Sequence, residues 1–139
     1  MDFILFNSDE FKSSQDYFDF IEENSAEGSL KIQAFTANQA YPLKDVSIEV
    51  FKNINGKEVL FFSGVTDDSG IIDDIILPTK PSKKEIEDVN DIVYTTYNVV
   101  ATYPKSGVKK EYELAIFDDL KVIQPMRIPI ISLIEGGEN

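Results

Sequence analysis

Apolar and polar residues alternate with a period of two from Ser29 onward, whereas before Gly28 the apolar residues recur at helical spacing. In the first region Tyr17, Phe18, Phe20 and Ile21 fall on one broad face. Ser13 or Ser14 can cap the first turn, and Ser25-Ala26-Glu27-Gly28 is a stop signal. The pattern therefore predicts a short apolar segment followed by one helix.

In the second region Leu30, Ile32 and Ala34 alternate with Ser29, Lys31 and Gln33, and Val46, Ile48 and Val50 alternate with Ser47 and Glu49. Asn55-Gly56 predicts a tight hairpin, because both residues accept positive φ at small cost, with Glu58–Val65 as the returning strand. Thr66-Asp67-Asp68-Ser69-Gly70 predicts a second turn before a strand over Ile71–Leu77. Pro78 and Pro81 open a polar loop to about Asp91, in which Lys83–Val89 could form one helical turn; so long a loop is usually functional or mobile. Further strands follow around Tyr97–Tyr103, Val108–Phe117 and Leu120–Ile130. Pro125 and Pro129 cannot donate to a ladder, so the last strand is expected to lie at an edge or to pair on one side only.

About seven strands in roughly 100 residues, separated by turn signals, predict an all-β, seven-stranded antiparallel sandwich of immunoglobulin or transthyretin-like type, preceded by a short helix. Residues 1–27 form an acidic aromatic segment, residues 28–134 the sandwich, and residues 135–139 a tail expected to fray.

The order of these signals resembles the carboxypeptidase-regulatory-like (transthyretin-like) β-sandwich found at the N-terminus of clostridial spore cortex-lytic enzymes. The resemblance rests on Gly28-Ser29-Leu30-Lys31-Ile32-Gln33, Pro42–Ile48, Thr66–Gly70, Ile75-Ile76-Leu77-Pro78, Tyr97–Ala101, Ile116-Phe117-Asp118 and Gln124–Pro129. It implies a β-sandwich that serves as an accessory, pro-domain-like or partner-binding module connected with spores or the cell wall. In those enzymes a peptidoglycan-cleaving domain follows the sandwich. No such domain is expected within these 139 residues, and the aromatic extension before Gly28 is not part of their pattern, so cortex lysis is not carried over.

Charge and composition narrow the function. The 139 residues carry a formal net charge of −12. Residues 1–27 hold eight acidic side chains and one lysine, against 17 acidic and 12 basic in residues 28–139. Such a surface repels phosphate backbones and anionic lipid, which argues against nucleic acid and membrane as partners. The start, Met1–Phe6, lacks a basic region, its apolar run is short for a signal peptide, and no stretch approaches the ~20 apolar residues of a spanning helix. The expectation is cytoplasmic synthesis, with spore association implied by the resemblance.

Neither cysteine nor histidine occurs. Without them no thiolate site and no histidine-assisted nucleophile can be assembled, so no catalytic residue and no cofactor is expected. Asp67, Asp68, Asp73 and Asp74 could suggest a calcium site. The alternative is that turn acids bond their own backbone while Gly70 supplies positive φ. Asp73 and Asp74 are also expected on opposite strand faces, which favours a structural turn and no metal. A glycosidase would need paired carboxyls across a cleft, for which no signal exists.

Carbohydrate or peptidoglycan binding could use Tyr94, Tyr97, Tyr103 and Tyr112. Tyr97 and Tyr103, however, share an apolar strand face, and Trp is absent. Lys80, Lys83, Lys84, Lys105, Lys109 and Lys110 read as solvated loop and turn positions. The stripe of Phe11, Tyr17, Phe18, Phe20 and Ile21 reads first as a helix packed on its own sandwich, covering an open sheet edge. Its alternative is a partner-binding helix that docks in a groove of another chain. The function expected is a non-catalytic module whose partner is another protein. The alternatives are a carbohydrate-binding module and a structural subunit of a spore layer or phage-like particle.

Overall fold

The computed structural model describes residues 2–37 and 41–129. The tail Glu135–Asn139 and Ile130 at the end of the last predicted strand lie outside the described residues.

The chain forms two packed β-sheets. The strands are β1 (Ile4–Leu5), β2 (Ala26–Thr36), β3 (Tyr41–Pro42), β4 (Ser47–Ile54), β5 (Lys57–Val65), β6 (Ile71–Thr79), β7 (Thr95–Tyr103), β8 (Val108–Ile116) and β9 (Lys121–Arg127). Helices α1 (Asp9–Lys12) and α2 (Gln15–Glu23) lie between β1 and β2. The larger sheet has the order β1-β5-β4-β7-β8. In the smaller sheet β2 pairs with β6, β3 and β9. Backbone bonds place β3 on the β6 side, because Ala34 bonds through N–H to Gly70 and through C=O to Leu43. Phe35 bonds the opposite way, to Ile128 just beyond β9.

The described residues therefore hold nine strands rather than the seven expected. The two extra ones, β1 and β3, are two residues long and too short to show alternation in sequence. Nor is the pairing wholly antiparallel, since β1–β5 and β2–β9 are parallel. Both parallel partners arrive by long connections, which are free of the reversal a tight hairpin imposes. Pro125 sits in β9, which pairs with β2 alone, as its missing donor requires.

The core lies between the sheets. Leu30, Ile32, Ile48, Val50, Leu77, Tyr97, Val99, Ala101, Ile116 and Met126 are buried there on the inward face of each strand. At the β4–β5 hairpin Asn55 (φ 51°) and Gly56 (φ 85°) both take left-handed conformations, as the Asn-Gly signal requires.

The aromatic N-terminus belongs to this core. Phe6 stacks on Phe61 of β5 with centroids 4.4 Å apart and also meets Phe11, Tyr17 and Phe20. Phe61 in turn meets Tyr97 edge-on at 5.0 Å. Phe61 projects inward because the β4–β5 register slips between Val50 and Phe51, leaving it as the extra residue of a bulge. The edge of β5 is covered by β1 rather than by a helix, and the helices instead cover its aromatic face. The helical segment is two helices, and the expected stop at Ser25–Gly28 is already largely β2.

Candidate functional site

Helix α2 is fixed at both ends. Ser14 caps it, its Oγ accepting from Tyr17 N–H at 3.2 Å. Asp16 in the first turn accepts from Asn55 Nδ2 at 2.8 Å and pairs with Lys57 Nζ at 3.0 Å, tying the helix to the β4–β5 turn. The Asn55 hydrogen bond, followed by that from Lys57, holds the Asp16 carboxyl below its ordinary range. At the other end Asn24 is buried. Its Nδ2 donates to Phe20 O at 2.9 Å, and the Thr95 hydroxyl donates to its Oδ1. The same Thr95 oxygen accepts from Lys80 N–H at 3.2 Å, so one hydroxyl joins helix, strand and loop.

Around this junction opens a cleft of 420 Å³. Phe20, Ile92, Val93 and Tyr94 give it apolar walls, Lys52 and Lys80 supply cations, and Glu23 supplies one carboxylate. Lys52 stands in the inward-facing file of β4 between Val50 and Ile54, opposite buried Val59. Its ammonium donates to Thr96 O at 2.7 Å and lies 5.7 Å from the centre of the Tyr97 ring. Burial, and then the charge of Lys80, push its pKa down. Among the described residues no carboxylate lies within 4.0 Å of Lys52, whereas Lys80 meets Glu23 at 3.7 Å.

One wall of the cleft belongs to the segment between β6 and β7. Every residue from Pro81 to Asn90 is exposed. The segment is held by carboxylates, two of its own and one from Asp118 just beyond β8. Asp91 accepts from the N–H groups of Glu87 and Asp88, which hold its carboxyl below the ordinary range, and Asp88 accepts from Asn90 N–H. Asp118 accepts from both the N–H and the hydroxyl of Ser82. The helical turn expected over Lys83–Val89 is a single 3₁₀ turn over Val89–Asp91, and Pro78 lies inside β6 rather than opening the loop. Ile86 (56% exposed), Val89 (75%), Ile92 (44%) and Tyr94 (46%) all project from this segment.

The stripe of candidate partner-binding residues divides. Phe11 and Phe20 are buried in the core of their own sandwich, Tyr17 and Ile21 are partly buried against it, and Phe18 is 55% exposed. Of the four tyrosines considered for sugar binding, Tyr97 and Tyr103 are buried. Tyr97 donates its hydroxyl to Pro78 O, and burial drives its pKa far upward. Lys83, Lys84, Lys105, Lys109 and Lys110 are exposed, whereas Lys80 lines the cleft. The sequence signal for Lys52 is slight, a lysine interrupting the apolar file Ile48, Val50, Ile54.

At the turn, Asp67 Oδ1 accepts from the N–H groups of Ser69 and Ile71, and Asp68 pairs with Lys44 at 3.1 Å. Thr66 is buried, donating to Leu43 O and accepting from Val46 N–H. Asp73 and Asp74 do not lie on opposite faces. A bulge places both opposite Lys31, Asp74 takes φ 56°, and both carboxylates turn to Lys121 at 3.0 and 3.9 Å. Among the described residues no group of three or more acidic side chains is placed to hold a metal ion, and no helix is long and apolar enough to cross a membrane.

No protein-family model matches the chain. No curated protein matches it either. Among solved structures it is similar to Klebsiella pneumoniae 5-hydroxyisourate hydrolase, at 12% identity and TM-score 0.46 over 73% of this chain and 91% of that one. It is also similar to (S)-allantoin synthase (13%, TM-score 0.46, 73% of this chain and 41% of that chain). A third is the Bacillus anthracis TIE protein (17%, TM-score 0.47, 74% and 16%). The matched region thus spans under half of the second protein and about a sixth of the third. Likeness at this level transfers no activity, substrate or partner, and the two-sheet architecture stands on its own strand pairing.

Proposed function

We propose that this chain is a non-catalytic interaction module that docks another protein through the segment between β6 and β7. The observation that carries the reading is the group Ile86, Val89, Ile92 and Tyr94. It consists of four large apolar side chains, each more than two-fifths exposed, within nine residues of one loop. Scattered apolar residues on a surface need no explanation, but such a run on an ordered loop is what a protein contact uses. Glu85, Glu87, Lys83 and Lys84 surround it, giving the apolar centre a charged rim. The sandwich and the clamped helix form a rigid base under the loop.

The accessory role beside spore or cell-wall enzymes is carried by the sequence resemblance. The partner-binding stripe enters this reading through Phe18 alone, since the other members serve the core or pack against it.

The test is affinity capture by the full chain and by an Ile86→Ser/Val89→Ser/Ile92→Ser variant with an unchanged thermal midpoint. The expected result is one protein retained in stoichiometric amount by the wild type and lost with the variant. Equal retention by both would remove the loop from the interaction. Retention of peptidoglycan by both would favour the carbohydrate reading.

A further inference from the structure

The cleft beneath the end of α2 has a chemistry that the loop contact does not use. Lys52 is an ammonium in the inward file of a central strand, with one of its three N–H donors spent on Thr96 O and no carboxylate of the described residues within 4.0 Å. Lys80 lines the same cleft and adds a second cation to its lining. Placing two like charges in a part-buried recess is unfavourable unless an anion joins them. The chain is strongly acidic, yet Glu23 pairs only with Lys80, at the long distance of 3.7 Å, and Glu113, whose charge also acts on Lys52, forms no ion pair with it.

We propose that this cleft is a binding site for a small organic monocarboxylate with an aromatic body. Its carboxylate lies between the ammonium groups of Lys52 and Lys80, accepting from the free donors of Lys52. Its ring lies against Phe20, Ile92 and Tyr94, on the apolar walls. The 420 Å³ of the cleft suits one ring and a short chain. A dianion such as phosphate fits less well: half the lining is apolar, and the Glu23 carboxylate in the lining repels a second negative charge. Burial disfavours the charged state of Lys52, and an anion in the cleft would offset that cost.

The site shares Ile92 and Tyr94 with the protein contact, but its test needs no partner. Sodium 3-phenylpropionate is titrated into the full chain by calorimetry and by amide NMR, beside 3-phenylpropionamide and inorganic phosphate. The expected result is saturable binding of the acid, with shifts confined to the residues around Lys52, Lys80 and 92–96. The amide should bind on the order of tenfold or more weakly, the value of a charge-assisted hydrogen bond. Lys52→Met should keep an equal or higher thermal midpoint and lose the binding, and Lys80→Gln should weaken it. No saturation at millimolar acid, equal binding of the amide, phosphate binding as tightly as the acid, or full binding by both lysine variants would each overturn the proposal. Loss of partner capture in an Ile86→Ser/Val89→Ser variant, which leaves the cleft lining intact, with this titration unchanged would separate the two readings.

Discussion

The Thr95 hydroxyl donates to the carboxamide oxygen of Asn24 across 71 residues of sequence, and both groups are buried. This bond joins the last turn of α2 to the first residue of β7, and Lys80 N–H completes it. Removing one member leaves a buried donor without its partner, which costs about 1–3 kcal/mol. Asn24→Ala should therefore lower the unfolding free energy by about that amount in urea titrations. The urea dependence should stay unchanged, since the same surface unfolds.

Gly70 and Gly56 both have positive φ, but their surroundings differ. A Cβ on Gly70 would lie 2.3 Å from Ala34 O, whereas one on Gly56 would meet nothing within 4 Å. Gly56→Ala should cost only the left-handed penalty of about 1–2 kcal/mol. Gly70→Ala adds a displaced backbone and should cost about 3 kcal/mol or more. Denaturant midpoints of the two variants compare these directly.

Phe20 and Phe18 sit two residues apart on one helix with opposite fates. Phe20 is buried against Phe6 and Phe61, so Phe20→Ala should destabilise by about 3–5 kcal/mol. Phe18 is exposed, and Phe18→Ala should stay within about 0.5 kcal/mol. Calorimetric melting of both variants checks the difference.

Acid should weaken the fold at identifiable carboxylates. Asp16, held by Asn55 and then Lys57, and Asp73, held by Lys121 and then the Asp74 N–H, both titrate below their unfolded value. The unfolded chain therefore takes up protons first. Their stabilisation is complete above the unfolded carboxylate range near about pH 4 and is lost as pH falls through the lower folded values. The gap in thermal midpoint between wild type and Asp16→Asn or Asp73→Asn should be constant above about pH 5 and close in stronger acid. A gap that persists at pH 2 would contradict this.

Strand alternation made most of the sandwich legible: β2 and β7 show their inward residues at every second position, the β4–β5 hairpin stands out by its Asn-Gly chemistry, and the Asp-Ser-Gly turn is legible as a turn although it joins the two sheets rather than closing a hairpin. What alternation could not reveal is where register slips. The bulge at Asp73-Asp74 brings two neighbouring side chains to one lysine, and the bulge at Phe61 turns a ring inward to meet the N-terminal helices. Both depend on the partner strand, which a local pattern does not contain. Lys52 was hidden for a related reason. Its position in the file is readable, but its exposure depends on Lys80 and the 92–96 backbone, which fold back from distant sequence. The aromatic stripe was legible as apolar, and tertiary packing decided which rings face the core.

The most direct measurement of the central claim is site-specific photo-crosslinking in the source cell. A benzophenone side chain is placed at Val89, with Val65 and Ile123 as exposed apolar controls on other surfaces. The account predicts one discrete adduct from position 89 and none from the controls. Absence of an adduct at 89, or the same adducts from all three positions, would contradict it.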